Sequence, residues 1–530
     1  MLTSLSLGNF KAFSDVQNIP IKPITLIFGP NSAGKSSLIH GLLLAHHANE
    51  TGELDAHLTG IGGDSVDLGG FQQYVHRRDT TQTVAWSATI DFSGFAARRG
   101  VILNSARQTE ISVAIGMVGD KPYVKTCDIT VDGAILIAMF RRPDNTYRMS
   151  RLDYHHPLFR QVIETILESV LRTTPTEEAI VKVNRLIDDV ILQMPVEAGN
   201  LLPFGLTMNL DASHSDEAVA GISLNADSTS IDAALQFYLP RIVDEFIRDI
   251  HAVLSGELNR LQYLGPLRSY PPRQIIFSQH HDRNWIAGGG FAWDVVRKNA
   301  AVRAKVNLWL GKHKLDTPYE LEVRNLVTLD DLGADYEQQI ESIEQRFTGQ
   351  QADFDLFGEL YGVLNRMKST EEHVSTAQEL RLIDKRGNTP VSHRDVGIGI
   401  SQVLPVLVSA FASTGKILAI EQPEIHLHPA MQAEIADVFI ESALAGQNNT
   451  FLIETHSEHL ILRILRRIRE TADGELEEGM QPISPQDVQV IYAKPTNKGT
   501  VLYHLPIRED GDFDEKWPDG FFAERAKELF

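Results

Sequence analysis

The residues best equipped for chemistry lie near the two ends of the chain. Gly29-Pro30-Asn31-Ser32-Ala33-Gly34-Lys35-Ser36 fits the spacing G-x-x-x-x-G-K-[ST]. Gly29 and Gly34 permit backbone torsions that turn successive N–H groups toward an anion. A helix beginning at Ser36 adds its positive end to the same place. Lys35 is long enough to reach the β- and γ-phosphates, and the Ser36 hydroxyl is placed to ligate Mg²⁺. With Asn31, Ser32 and Ala33 in the loop and Ser37 in the first turn, the run reads as a site for ATP and Mg²⁺.

Such a site needs a carboxylate at the end of a buried strand, for the Mg²⁺ shell. Lys416-Ile417-Leu418-Ala419-Ile420-Glu421 supplies one, and Gln422-Pro423-Glu424 follows at once. The next apolar run, Phe451-Leu452-Ile453, ends in Glu454-Thr455-His456-Ser457. A His at a strand tip can sense the γ-phosphate and help hold an attacking water. Upstream, Asp395-Val396-Gly397-Ile398-Gly399-Ile400-Ser401-Gln402 leads into VLPVLVSAFA. Its small residues make either an anion site or a plain loop-to-helix junction, and the residues alone do not separate the two.

These groups require strands that converge. ITLIF (24–28) is a short apolar run of β-formers, and SSLIHGLLLAHHA (36–48) has a helical pattern. Residues 84–150 hold alternating runs such as TVAWSATIDF, EISVAIGMV and GAILIAMF, divided by turn residues, which predicts an antiparallel β-region. From Pro157 apolar residues recur at spacings of three and four, through LPRIVDEFIRDIHAVLSGELNRLQ (239–262) and on to about Lys368. Strand patterns return in ELRLID, KILAIEQ, TFLIETH, VQVIYAK and TVLYHL. The predicted organisation is therefore a strand-rich piece (1–156), a mainly helical insertion (157–375) and a second strand-rich piece (376–530).

The chain has 530 residues, 43% of them hydrophobic and 22% charged, proportions of a soluble globular protein. The single cysteine, Cys127, excludes a disulfide framework and the multi-Cys zinc patterns. No signal peptide and no uninterrupted apolar run of about 20 residues is present; we expect a cytoplasmic protein without a membrane contact. With 49 Lys and Arg against 70 Asp and Glu, the formal charge is −21. Such a surface repels phosphate as a whole, so contact with nucleic acid would need a local basic patch. Arg463, Arg466, Arg467 and Arg469 lie on the predicted helix HLILRILRRIRE, the first three on one face, and Arg77–Arg78, Arg98–Arg99 and Arg141–Arg142 lie in or beside the β-region. Each cluster reads either as a DNA contact or as a solvated face.

Taken together, NFKAF…LIFGPNSAGKSSLI, VDLGGFQQYVH, YLGPLRSYPPR, DVGIGISQVLPVL, IEQPEIHLHPAMQ, IETHSEHL and DEKWPDGFF resemble ATP-binding-cassette-type ATPases of the RecF/SMC branch. More narrowly they resemble bacterial AAA-family ATPases related to the overcoming-lysogenization-defect group and to Septu-type defence ATPases. The resemblance implies an α/β head, a mixed sheet flanked by helices plus an antiparallel β-subdomain, formed by both outer pieces. It further implies homodimers or larger homo-oligomers in which the P-loop of one head faces Gly397–Gln402 of another. On this basis Gly397, Gly399, Ser401 and Gln402 join the nucleotide contacts, Glu421 takes the Walker B role, His456 the switch-histidine role, and Gln72 or Gln73 the Q-loop role.

Two positions depart from that pattern. Gly399, Ile400 and Ser401 stand before Gln402 where Ser-Gly-Gly is usual, and Gln422 stands where the catalytic Glu is usual. An amide can orient water but accepts no proton at neutral pH, so hydrolysis should be slow, with Glu424 or Glu454 as base and Glu424 the better candidate. Relatives of the first group also carry a metal-dependent nuclease domain, for which the roughly 75 residues after His456 leave too little room. Asp510-Gly511-Asp512 has metal-ligand spacing but lies in a turn, and His280-His281-Asp282-Arg283-Asn284 reads as a polar loop. The expectation is a switch ATPase of antiphage defence that controls a separate nuclease or other effector. The alternatives are a RecF-like DNA-binding repair clamp and a nucleotide-binding scaffold.

Overall fold

The computed structural model describes residues 1–93, 101–171, 177–189, 191–198, 201–207, 228–268, 283–326, 338, 341–342, 361–362, 377–391, 396–515 and 517–518. Three strands open the chain: β1 (Leu2–Gly8), β2 (Gln17–Pro20) and β3 (Ile24–Phe28). Helix α1 (Lys35–Thr51) precedes β4 (Val84–Asp91), β5 (Gln108–Val118), β6 (Lys121–Val131), β7 (Ala134–Arg141) and β8 (Tyr147–Leu152). Helices α2 (Pro157–Leu171) and α3 (Glu177–Asp189) are followed by a short hairpin, β9 (Val196–Ala198) and β10 (Pro203–Leu206), and the long α4 (Ser228–Leu258). Then come β11 (Leu261–Leu264), α5 (Phe291–Lys298), α6 (Ala300–Leu310), β12 (Tyr319–Leu326), β13 (Ala377–Asp384) and β14 (Thr389–Val391). The last part runs α7 (Ile398–Ala412), β15 (Ile417–Glu421), α8 (Pro429–Leu444), β16 (Thr450–Glu454), α9 (Glu458–Asp473), β17 (Val488–Pro495) and β18 (Thr500–His504).

The central sheet has the order β11-β15-β16-β3-β17-β18. Its neighbours run parallel except for the β17–β18 pair. Every residue of β3, β15 and β16 is buried, as continuous apolar runs require when helices cover both faces. Residues near the start of the chain thus sit between β16 and β17, two strands that lie beyond residue 449. A second sheet, β2-β1-β4-β5-β6-β7-β8, is antiparallel throughout. This is the β-region that alternation predicts, and the two sheets with their helices make the α/β head.

Helix α1 lies between the sheets and is apolar around most of its circumference, with Leu38, Ile39, Leu42, Leu43, Leu44 and Ala48 buried. A Cβ at Gly41 would stand 2.5 Å from Leu7 of β1, and Trp86 of β4 donates Nε1–H to the Gly41 carbonyl at 3.2 Å. This close approach fixes the helix whose first residue is Lys35.

The stretch expected to be helical departs from expectation at three places, the first being the β9–β10 hairpin. Helix α4 stops at Leu258, and Leu261–Leu264 becomes the edge strand of the central sheet, pairing with β15 from Leu261↔Ile417 to Leu264↔Ile420. The pairing with Ile417–Ile420 outweighs the helical period that the sequence continues through Gln262. Tyr319–Leu326 is a strand paired with β13; its Tyr319, Leu321 and Val323 alternate with period two, hidden within a helical region. Among the described residues no helix is long and apolar enough to cross a membrane.

Candidate functional site

The loop after β3 takes its shape from close packing. A Cβ at Gly29 (φ +149°) would lie 2.5 Å from the Ala493 carbonyl of β17, and one at Gly34 (φ +85°) 2.3 Å from Ala12 Cβ. The Ala33 carbonyl accepts the Thr500 hydroxyl at 2.7 Å. Ser32 holds φ 61°, and Asn31 and Ser32 are exposed while Ala33 and Ser37 are buried. Gly34 is the N-cap of α1 and offers no side-chain cap; the Ser37 N–H donates to the Gly34 carbonyl at 3.0 Å, and the N–H groups of Lys35 and Ser36 face the position of an external acceptor.

Lys35 is 4% exposed and bends back, its Nζ donating to the carbonyls of Gly29 (3.2 Å) and Pro30 (3.1 Å). Burial lowers its pKa, and the charges of Glu454, Glu424 and Glu421 oppose that shift. Glu454 takes the neighbouring positions: its Oε1 is 3.7 Å from Lys35 Nζ, and its Oε2 accepts the Ser36 hydroxyl at 2.6 Å. Glu421 and Glu454 are register partners at the ends of adjacent parallel strands, where ligands of parallel α/β sheets bind.

Glu421 sits in a tight polar setting. Tyr263 donates its hydroxyl to Oε1 at 3.0 Å. Burial, and next the Glu454 charge, push the Glu421 carboxyl up to about 7. His40 approaches with Nε2 3.8 Å from Oε1, while its Nδ1 is 2.7 Å from the Lys11 ammonium. Burial and then the Lys11 charge drive His40 down to about 3, so the imidazole is neutral; Nδ1 accepts from Lys11 and the Nε2–H faces the carboxylate. Burial brings Lys11 down to about 8.

Beyond β15 the backbone turns sharply, with Gln422 at φ 46° and its N–H donating to the Glu454 carbonyl at 2.7 Å. Glu424 Oε1 accepts the His456 N–H at 2.7 Å. Glu424 Oε2 and His456 Nε2 are buried without a hydrogen-bond partner. Burial raises the Glu424 pKa; burial and then the Lys35 charge lower that of His456.

Three buried carboxylates, Glu421, Glu424 and Glu454, thus converge with two buried cations, the Lys35 ammonium and the Arg268 guanidinium, the latter bonded to backbone carbonyls. That surplus of negative charge, a free carboxylate oxygen and an adjacent serine hydroxyl fit Mg²⁺, a hard cation bound by oxygens. Among the described residues no three His, Cys, Asp or Glu side chains form a ready metal cage. Mg²⁺ rarely asks for one, since it takes one or two protein ligands and completes its shell with phosphate oxygens and water.

The structure also extends the sequence reading. The Ser36 hydroxyl rests on Glu454, a residue the sequence offers only as a base, and not on Glu421. Of the segment expected to face another head, Gly397 and Ile398 are exposed, but Ser401 and Gln402 are 0% and 4% exposed. Both lie on the inner side of α7, so only the leading edge of the segment is open; Asp395 lies outside the described residues. Gln72 and Gln73 are exposed, and Gln73 shares with Lys11, Asp67 and Arg77 a cleft of about 550 Å³.

The arginine face is largely taken up in ion pairs. Arg463 pairs with Glu434 and Asp437, Arg467 with Asp437 and Glu470, and Arg466 with Glu470. Arg141 lies over the rings of Tyr123 and Tyr147, and Arg77 donates to the carbonyls of Asn497 and Lys498. Arg98 and Arg99, with His280, His281 and Asp282, lie outside the described residues. Asp510 and Asp512 are held by Arg508.

Sequence reasoning gave no role to Tyr263, Arg268, His40 or Lys11. The first two sit in YLGPLRSYPPR, a block notable as a word without an assigned function.

Residues 4–106 match a family model described as "AAA domain", and residues 314–461 one described as "AAA ATPase domain". The first contains the P-loop with α1, the second β15 and β16 with Glu421 and Glu454. The chain carries a P-loop ATPase head. Residues 483–530 match a third model, "Protein of unknown function (DUF3696)". A search of curated proteins finds no match. Among solved structures, the head is similar to an Smc head bound to the C-terminal winged-helix domain of ScpA, at 10% identity over 95% of this chain and 98% of that one, with a TM-score of 0.38. An Smc head with an extended coiled coil, from Pyrococcus furiosus, is 11% identical over 100% and 98%, with a TM-score of 0.36. The SMC head of Thermotoga maritima is 7% identical over 96% and 99%, with a TM-score of 0.34. At these values the overlay is coarse, and the fold rests on the strand order given above.

Proposed function

We propose that this head binds Mg·ATP at Gly29–Ser37, hydrolyses it slowly, and works as a switch through nucleotide-dependent pairing of two heads. The observation that carries the reading is the convergence of Lys35 and Ser36 with Glu454 and Glu421 across three adjacent strands. Lys35 exchanges the carbonyls of Gly29 and Pro30 for phosphate oxygens, and the first-turn amides of α1 accept the remaining charge. Bound Mg²⁺ supplies neutralisation of the β- and γ-phosphate charge. Glu424, with one free buried oxygen and a pKa raised by burial, takes the proton of the attacking water, which the Gln422 amide orients and His456 Nε2 holds. Without a glutamate at 422 that water is less well activated, so ATP acts mainly as a conformational ligand.

The wider role rests on the sequence resemblance: pairing through the exposed Gly397–Ile398 edge controls a separate effector, a nuclease in the first instance, in bacterial antiphage defence. Light scattering with ATP and Mg²⁺ should give a dimer or larger assembly for the Glu424→Gln protein and none for Lys35→Ala. An ATP-independent assembly state in both would remove the switch. Purification from the native host tests the effector, and stimulation of turnover by duplex DNA without any protein partner would favour the DNA-clamp alternative.

A further inference from the structure

One buried guanidinium joins two parts of the head. Arg268, four residues after β11, is 5% exposed. It donates to the carbonyl oxygens of Glu421 at 2.9 Å, Gln422 at 3.3 Å and Gln402 at 3.3 Å. Gln402 returns a bond from Nε2 to the Arg268 carbonyl at 3.2 Å. Within the same short segment, Tyr263 donates to the Glu421 side chain. Glu421 is therefore held twice from residues 263–268, by backbone and by carboxylate, and the first turns of α7 are tied to the same point.

A purely structural arginine at this depth would be matched with carboxylates, as Arg467 is with Asp437 and Glu470. Among the described residues Arg268 forms no ion pair, and its Nε has no partner. It bonds carbonyls of two separate elements, an arrangement that fixes their relative position. Its planar fork can serve three acceptors at once, which an ammonium cannot reproduce.

The geometry points to Arg268 as a positioning residue that locks the leading turns of α7 to the Glu421–Gln422 strand end, with Tyr263 orienting the Glu421 carboxylate. This rests on the nucleotide-site reading above. Movement of the exposed Gly397–Ile398 edge, as when another head docks, is then passed to the residues that surround the reacting phosphate.

The test combines the nucleotide-free protein with turnover. In Arg268→Lys, amide hydrogen exchange should rise together over residues 398–404 and 420–424. Tyr263→Phe, which removes one hydroxyl and keeps the ring, should leave that exchange near wild type. It should lower kcat about 10- to 100-fold, the scale of a small misplacement at a reacting centre, with KM for ATP within about twofold. Exchange that rises in one segment only or in neither overturns the lock, and so does a wild-type kcat in Tyr263→Phe or a loss that appears in KM alone. If Arg268→Lys fails to fold, Gln402→Met removes the reciprocal bond from the other side and should raise exchange in the same two segments; no rise there also overturns the lock. Lys35→Ala separates the two readings. Equal turnover in Lys35→Ala and wild type removes the nucleotide site and this inference with it, whereas an inactive Lys35→Ala beside a fully active Tyr263→Phe removes this inference alone.

Discussion

Two charge clusters in the head have similar side chains and opposite character. At the α8–α9 contact, Arg463, Arg466 and Arg467 face Glu434, Asp437 and Glu470, and every guanidinium has a carboxylate within 3 Å. At the ends of β15 and β16, Glu421, Glu424 and Glu454 share one buried ammonium, Lys35, and one buried guanidinium, Arg268, which forms no ion pair with them, and the free polar atoms Glu424 Oε2 and His456 Nε2 remain. The first cluster is complete within the protein and the second is not. Uncompensated buried charge is costly to keep, so its survival marks a place completed by something from outside. The difference separates scaffold from site better than residue type does.

The largest effects should come from the incomplete cluster. Lys35→Ala removes its only ammonium and should lower turnover by on the order of 10²–10³-fold, the scale of losing one preorganised charge partner. Glu424→Gln keeps the shape and the bond from the His456 N–H while removing the proton acceptor; a loss of about 10²–10⁴-fold in kcat with nucleotide affinity retained is expected. Single-turnover ATP hydrolysis reads both. An unchanged rate in Glu424→Gln would move the base role to Glu454 and leave the comparison standing.

The complete cluster should respond in stability. Asp437→Ala strips the buried Arg467 of its main partner and Arg463 of one of two, which should destabilise the head by on the order of 3 kcal/mol. The urea midpoint followed by tryptophan fluorescence reads this, and the ATP affinity of the folded variant should stay at wild type. A parallel loss of affinity would mean that the two clusters are not independent.

How far this contrast was legible in the sequence depends on the reach of each contact. Lys35, Ser36, Glu421 and His456 stand out because motif spacing and strand pattern are local properties. Their convergence also follows, since a P-loop without an acidic strand end has no use. The antiparallel β-region was legible by alternation. The roles of Tyr263, Arg268, His40 and Lys11 were not, because each acts on a residue far away in the chain. Ser401 and Gln402 look like surface residues in a motif and are buried by the packing of α7 on α5 and α6. The arginines of α9 were legible as one face. That Asp437 and Glu434 of α8 fill that face depends on helix packing, which no periodicity reports.

Proton linkage sharpens the comparison further. Burial and Glu454 raise the Glu421 pKa from 4.5 to about 7, so the folded state keeps a proton that the unfolded chain releases. The stability associated with this group is complete below about pH 4.5 and is lost as pH rises to about 7. Glu421→Gln removes the slope, and relative to wild type it should gain on the order of 3 kcal/mol between pH 4.5 and 8. Chemical denaturation across that range checks it. Mg·ATP should flatten the wild-type curve, because a cation beside Glu421 favours the ionised form. A flat wild-type curve without nucleotide would mean that water already compensates the cluster.

The smallest effect is expected where the balanced cluster meets solvent. The Arg466 side chain is 51% exposed, and its partner Glu470 is also bound by Arg467. Exposed pairs of this kind contribute about 0.5 kcal/mol or less. Arg466→Ala should therefore leave the urea midpoint and ATP turnover nearly unchanged. It should also leave any affinity for duplex DNA nearly unchanged at low salt, since Arg463 and Arg467 are held by α8 and, of the arginines on this helix, only Arg466 and Arg469 are exposed. If Arg466→Ala weakens DNA binding and reduces its salt dependence by about one counterion, the face is open in solution and the balanced cluster is also a site.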